Sequence, residues 1–324
     1  MKPASIVSLI VAAVLIILGF VGCYVAKNMA EKNGESLFSE EIDGNVIRAV
    51  DLTENDISKI SLIADNVTVH IIGECDKLDE DDPAYRTSSS IEFVNFPDNY
   101  YSLNVSNRVL SFDEIPDIAS MLKFWENGFS FKGMRYLLNF DRKPDTAKER
   151  IINVYLCSGR EIKIFDIQAK ACSLSVSNMT TGTDYNLTAD ELSLDVTNLR
   201  TTSTMNINTD ATPAKTVTVT MKTRAYLNSI RINAEELNLN AEYFRATNAV
   251  DLTCKTGVIT VQSVTPSADI SLDLRSDAGT ITVDGKEVHS PYAHANPDNA
   301  SAASVRIKTD CASVNWIGPA SEES

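Results

Sequence analysis

Three stretches of this chain repeat one another at related offsets. Leu174-Ser-Val-Ser-Asn178 returns as Leu194-Asp-Val-Thr-Asn198, 20 positions later. Leu187-Thr-Ala-Asp-Glu-Leu-Ser-Leu194 returns as Ile232-Asn-Ala-Glu-Glu-Leu-Asn-Leu239, 45 positions later. Leu252-Thr-Cys-Lys-Thr-Gly-Val-Ile-Thr-Val261 returns as Leu274-Arg-Ser-Asp-Ala-Gly-Thr-Ile-Thr-Val283, 22 positions later. The offsets fall at one and two multiples of about 20 to 23 residues, the length of one coil of a parallel β-helix. A unit that short cannot bury its apolar side alone. Stacking coils about 4.8 Å apart pairs each strand with its image above and below, so like residues lie on like. A β-sandwich also supplies short Leu-x-Val runs, but it gives no reason for a constant offset. The expected fold is all-β, a parallel β-helix or β-solenoid.

Local patterning agrees. Val67, Val69 and Ile71 alternate with Thr68 and His70, and Thr216-Val-Thr-Val-Thr220 alternates throughout. A period of two buries one face and exposes the other. Between Thr180 and Thr223, 14 of 44 residues are Thr, a density that suits a pleated surface and not a helix. Asn178 and Asn198 occupy matching positions and are expected to form part of an asparagine ladder at a bend. Gly257 and Gly279 are expected to permit a turn between strands. Leu252 and Leu274 are expected to be vertical neighbours.

Residues 3 to 26 carry no charge, with Lys2 before them and Lys27 after. The span 5–26 at about 1.5 Å per residue covers roughly 33 Å, enough for a hydrocarbon core of about 30 Å. It reads as an N-terminal transmembrane helix, with 1–4 inside and the rest of the chain outside the cell. Phe20-Val-Gly-Cys23 also resembles a lipobox, in which Cys23 is the lipidation position. The apolar run is longer than that of a cleavable signal peptide. Residues 27–45 are polar and acidic and read as a stalk. The strand-rich domain is expected over 46–317, followed by a tail at 318–324. Residues 112–150 break its pattern: Ile118, Met121, Leu122 and Trp125 have helical spacing. This stretch reads as a small helical insertion that caps the stack or offers a partner surface.

The chemistry is sparse. With 29 basic and 44 acidic residues the net charge is −15, which excludes a basic surface for nucleic acid. Only three histidines are present. His289 and His294 lie in one loop without a third ligand, and His70 sits in a strand. The six cysteines form no CxxC pair, so neither zinc nor thioredoxin-like chemistry is indicated. Cys172 and Cys254 share strand faces with leucines and read as buried thiols. A single disulfide is compatible with an oxidising location, and the sequence does not choose its partners. No nucleophile elbow, phosphate loop or metalloprotease motif occurs. No catalytic residue, cofactor or metal is therefore expected, and the chain reads as a non-enzyme.

Several motifs resemble the bacterial family called putative adhesins. Ile57-Ser-Lys-Ile-Ser-Leu62 with Asn66-Val-Thr-Val-His-Ile71 is similar to its opening pair of strands. Ile152-Asn-Val-Tyr-Leu156 is similar to the strand that introduces its repeats, with Cys157 where Pro is common. Repeated Gly-Ile units stand at Ser158-Gly-Arg-Glu-Ile-Lys-Ile164, Thr256-Gly-Val-Ile-Thr-Val261 and Ala278-Gly-Thr-Ile-Thr-Val283. The resemblance spans roughly 46–317 and implies a cell-surface domain of repetitive strands that binds an envelope glycan or surface protein. Membrane-anchored members of the family beside envelope-stress systems imply a second role, through a membrane signalling partner. A third, a polysaccharide-processing β-helix enzyme, needs a groove with close carboxylates.

Overall fold

The computed structural model of the chain describes residues 47–96, 101–114, 149–200, 202–209, 212–295 and 303–319. The anchor at 5–26, the stalk, Cys23, and Ile118, Met121, Leu122 and Trp125 lie outside the described residues. All described residues belong to one compact unit. They are almost entirely strand. In chain order these are β1 (Ile47–Asp51), β2 (Lys59–Gly73), β3 (Ser90–Val94), β4 (Tyr101–Ser106), β5 (Val109–Glu114), β6 (Ile151–Leu156), β7 (Ile164–Ser177) and β8 (Asp184–Arg200). Then come β9 (Thr204–Ile207), β10 (Ala214–Ser263), β11 (Ser271–Ser276), β12 (Ile281–Val283), β13 (Lys286–Val288), β14 (Tyr292–His294), β15 (Ser304–Thr309) and β16 (Ser313–Ile317). Among the described residues, helix is confined to two 3-10 turns, at Cys75–Lys77 and Ser267–Asp269. None is long and apolar enough to cross a membrane.

The central pairings are parallel. β2 pairs with β7 along nearly its whole length. β7 pairs with β8 at an offset of 20, as Ile167↔Leu187 and Leu174↔Leu194. β8 pairs with β9 at the same offset, and β9 with β10 at 25, so Leu187, Ile207 and Ile232 stand in one column. The 45-residue repeat is thus two steps of unequal length. β10 turns back along itself: Val264 N–H donates to the Phe244 carbonyl at 2.9 Å, again 20 residues apart.

Why these residues take this register follows from what each column buries. Val69, Leu174, Leu194 and Val219 form one apolar column; Ile71, Val176, Val196 and Met221 form the next. All eight are buried. Phe165 lies over Tyr185 with ring centroids 5.6 Å apart and nearly parallel planes. A slip by one residue would turn every such side chain to solvent.

The alternation breaks at Asp65–Asn66 in β2, at Lys170–Ala171 in β7 and at Asp190–Glu191 in β8, where two exposed or half-exposed residues adjoin, and again in β8 at Thr197–Asn198. There the strand bends from one face to the next. Register aligns the bends, so Asp65, Lys170, Asp190 and Lys215 share one corner. The series continues with Glu235, Lys255 and Asp310, and Asp277 of the next rung follows. Signs alternate from Asp65 to Asp310. Lys215 Nζ lies 3.2 Å from Asp190, and Lys255 Nζ lies 2.8 Å from Glu235.

One expectation requires correction. Leu252 and Leu274 are in the same column but are not neighbours: Ile307 of β15 pairs with both. Val314 of β16 likewise separates Ile259 from Ile281. The C-terminal strands enter between two copies of the repeat. Val305, Ile307, Val314 and Trp316 are all buried there, so the inserted rung supplies its own apolar layer.

Both ends of the parallel stack are finished by antiparallel strands. At the first, β5 and β6 lie along the two halves of β2. β4 then pairs antiparallel with β5, and β3 and β1 extend antiparallel from β6. Phe93 stacks on Phe112 at 4.7 Å, and Phe96 meets Phe112 edge-on at 4.8 Å. At the other end β14 pairs antiparallel with β11, and β13 with β12. Short terminal hairpins of this kind blunt the exposed edge that a parallel sheet would otherwise offer to other chains.

Candidate functional site

A trough of about 640 Å³ follows the charged corner. Its floor and walls come from equivalent positions on successive strands. Thr68, Ser173 and Ser193 are paired in register and face outward. Asn66, Ala171, Glu191 and Thr216 form the adjoining column. Beneath them Val67, Cys172 and Leu192 close the bottom. The strands repeat at about 4.8 Å, so hydroxyl groups recur along the trough at that spacing.

Glu149 and Arg150, where the chain re-enters the described structure, make the rim. Thr68 N–H donates to the Arg150 carbonyl at 2.9 Å. Thr68 Oγ1 donates to Glu149 Oε1 at 2.7 Å, and Asn95 Nδ2 donates to the Glu149 carbonyl at 2.7 Å. Glu114 is buried, with its side chain 2% exposed, and is paired with Arg150. Its second oxygen accepts from Asp65 N–H at 3.0 Å. A buried carboxylate held by a guanidinium and an amide is a structural clamp. Among the described residues, the trough carries hydroxyl, amide and carboxylate groups over a thin apolar floor. Such a surface accepts a polar, extended ligand through many contacts.

Asn178 and Asn198 both have left-handed backbone, φ 55° and 56°. Asn198 Nδ2 donates to Asn178 Oδ1 at 2.9 Å. A second asparagine pair, which sequence reading missed, joins Asn206 Nδ2 to Asn186 Oδ1 at 3.0 Å. The shared offset of 20 was the available signal. Gly257 has φ 130°, and a Cβ there would strike the Leu237 carbonyl. A Cβ at Gly279 would strike the Ala312 carbonyl. These four residues lie apart from the trough lining. Cys172 and Cys254 are buried, and burial pushes both thiols above their ordinary pKa.

Cys75 and Cys157 also come together, with Sγ atoms 3.4 Å apart. Cys75 follows β2 and Cys157 follows β6, whose last paired residues are Gly73 and Leu156. Asp76 completes the cluster: its Oδ1 accepts from Ser158 N–H at 2.6 Å and Ser158 Oγ at 2.9 Å. These bonds hold the Asp76 carboxyl below the usual carboxylate range.

No family model matches the chain, and no curated protein matches it. Solved structures do. Three of them carry the names putative adhesin or putative cell adhesion protein. A putative adhesin from Bacteroides fragilis is 11% identical, covers 85% of this chain and 97% of its own, and has a TM-score of 0.40. A putative cell adhesion protein from Clostridium sporogenes is 11% identical, with coverages of 85% and 99% and a TM-score of 0.33. A putative adhesin from Parabacteroides distasonis is 11% identical, with coverages of 85% and 97% and a TM-score of 0.28.

Proposed function

We propose that the chain is a membrane-anchored, extracytoplasmic β-solenoid that binds an envelope glycan along the trough lined by Thr68, Ser173 and Ser193. The in-register column of outward hydroxyls carries this reading. Sugar hydroxyls both donate and accept, as Ser and Thr side chains do. Each such bond contributes about 0.5–1.5 kcal/mol net, so affinity comes from number. The acidic balance of the chain disfavours a polyanion, and the ligand class is a neutral or amine-bearing polysaccharide. The solenoid reading is supported by offsets of 20, 20 and 25 residues along one set of columns. The anchor reading is supported by the uncharged run at 5–26.

Full-length protein in detergent micelles, passed over immobilised neutral, amine-bearing and acidic glycans, tests the proposal. Retention on a neutral or amine-bearing polymer is expected. The paired change Ser173→Ala with Ser193→Ala should weaken it roughly tenfold or more, at about 1 kcal/mol per lost bond. Retention that ignores both changes, or no retention on any polymer, sinks the assignment.

A further inference from the structure

We propose that Cys75 and Cys157 close an intramolecular disulfide when the folded chain meets a disulfide oxidant. The Sγ atoms are 3.4 Å apart, against about 2.05 Å in the bond, a gap that side-chain rotation spans. The two residues follow the ends of adjacent parallel strands, so the backbone already holds them side by side. Both sulfurs approach the Arg86 carbonyl, Cys157 at 3.5 Å and Cys75 at 3.9 Å, which fixes them in one small pocket. Of the other described cysteines, Cys172 and Cys254 are buried in separate columns and Cys311 is exposed.

The geometry also gives the order of events. Cys75 is fully buried, while Cys157 is half-exposed. Burial, and then the neighbouring Cys157 thiol, push the Cys75 thiol above its ordinary pKa, so Cys75 is the poorer first nucleophile. Cys157 thiolate attacks one sulfur of the acceptor disulfide and expels the first small thiolate. Cys75 gives up its proton and attacks the Cys157 sulfur of that mixed disulfide, expelling the second. The protein loses two electrons and two protons; the acceptor becomes two thiols. The bond joins the end of β2 to the end of β6, bridging the chain on either side of residues 115–148. A break anywhere in that interval would leave both parts covalently attached. Its formation in the cell rests on the extracytoplasmic placement proposed above.

Purified, reduced full-length protein is incubated with oxidised glutathione, alkylated and digested. A linked peptide pair containing Cys75 and Cys157, two hydrogens lighter than the separate thiol peptides, is expected. It should vanish in Cys157→Ser and persist in Cys172→Ser. The thermal midpoint should rise by roughly 5 °C or more on oxidation and fall back with dithiothreitol. The idea is overturned if both thiols alkylate after oxidation, or if glutathione stays on Cys157 unresolved. It is equally overturned if added zinc stays bound to the pair and no linked peptide forms. Alkylation in acid-quenched cells reads the placement separately: free thiols there, with the bond formed by glutathione, count against the location alone.

Discussion

Asn198 does two jobs at its bend. Its backbone sits in the left-handed region, which asparagine tolerates better than other side chains bearing a Cβ. Its amide also bonds to Asn178 on the preceding rung. Two substitutions separate the effects. Asn198→Gly keeps the backbone free and loses only the side-chain bonds, the one to Asn178 and the exposed one accepted from Arg200 Nε at 2.9 Å, an expected cost of about 1 kcal/mol. Asn198→Ala loses the same bonds and adds backbone strain, and should cost about 2 kcal/mol. Urea midpoints of the two variants measure the difference, and equal losses would remove the strain argument. Gly257→Ala faces both strain at φ 130° and contact with the Leu237 carbonyl. It should be the more damaging change, by about 2–4 kcal/mol in the same assay.

At the scale of elements, the corner charges select register. Exposed ion pairs contribute little individually, yet a slip of one rung would set like against like along the whole column. Lys215→Glu places a carboxylate beside Asp190 and in the field of Glu235, whose own carboxyl is held below its ordinary value by Lys255 and, more weakly, Lys215. The variant should melt lower at low ionic strength, and the deficit should shrink in molar salt as screening sets in. A deficit independent of salt would mean that packing, not charge, is responsible. The pair Glu235–Lys255 also fixes a pH window. Glu235 is depressed from 4.5, so its contribution is present above that value and lost as pH falls through the lower folded pKa. Lys255 is raised from 10.5, so its share is present below that value and lost as pH rises through the higher folded pKa. The melting difference between the parent chain and Glu235→Gln should therefore hold across neutral pH and close at both extremes.

For the molecule as a whole, the repeat pattern exposed the rung length because stacked columns demand similar residues at similar places: Leu174 over Leu194 was readable, as was the pair Asn178 and Asn198. Spatial order was not. The strand Val305-Arg-Ile-Lys-Thr309 alternates like the others, but it lies 55 residues from its partner in β10 and 33 from its partner in β11. Neither separation resembles a coil. The Cys75–Cys157 approach was hidden for the same reason, since it joins positions 82 apart with unrelated flanks. The trough escaped notice because its hydroxyls look like ordinary exposed strand positions until register aligns them. The inserted rung makes a sharp prediction about assembly. Ile307 is fully buried between Leu252 and Leu274. Ile307→Asp would force an unpaired carboxylate into that column and should cost more than about 3 kcal/mol. Lys308→Asp changes charge on the adjacent exposed position and should stay within about 1 kcal/mol. If β15 were instead a peripheral strand, with the two copies of the repeat stacked directly, both substitutions would be mild. Thermal melts of the two variants beside the parent chain distinguish these arrangements. Loss of the main transition in Ile307→Asp alone would show that the stack is closed from its C-terminal end by a rung laid between its own repeats.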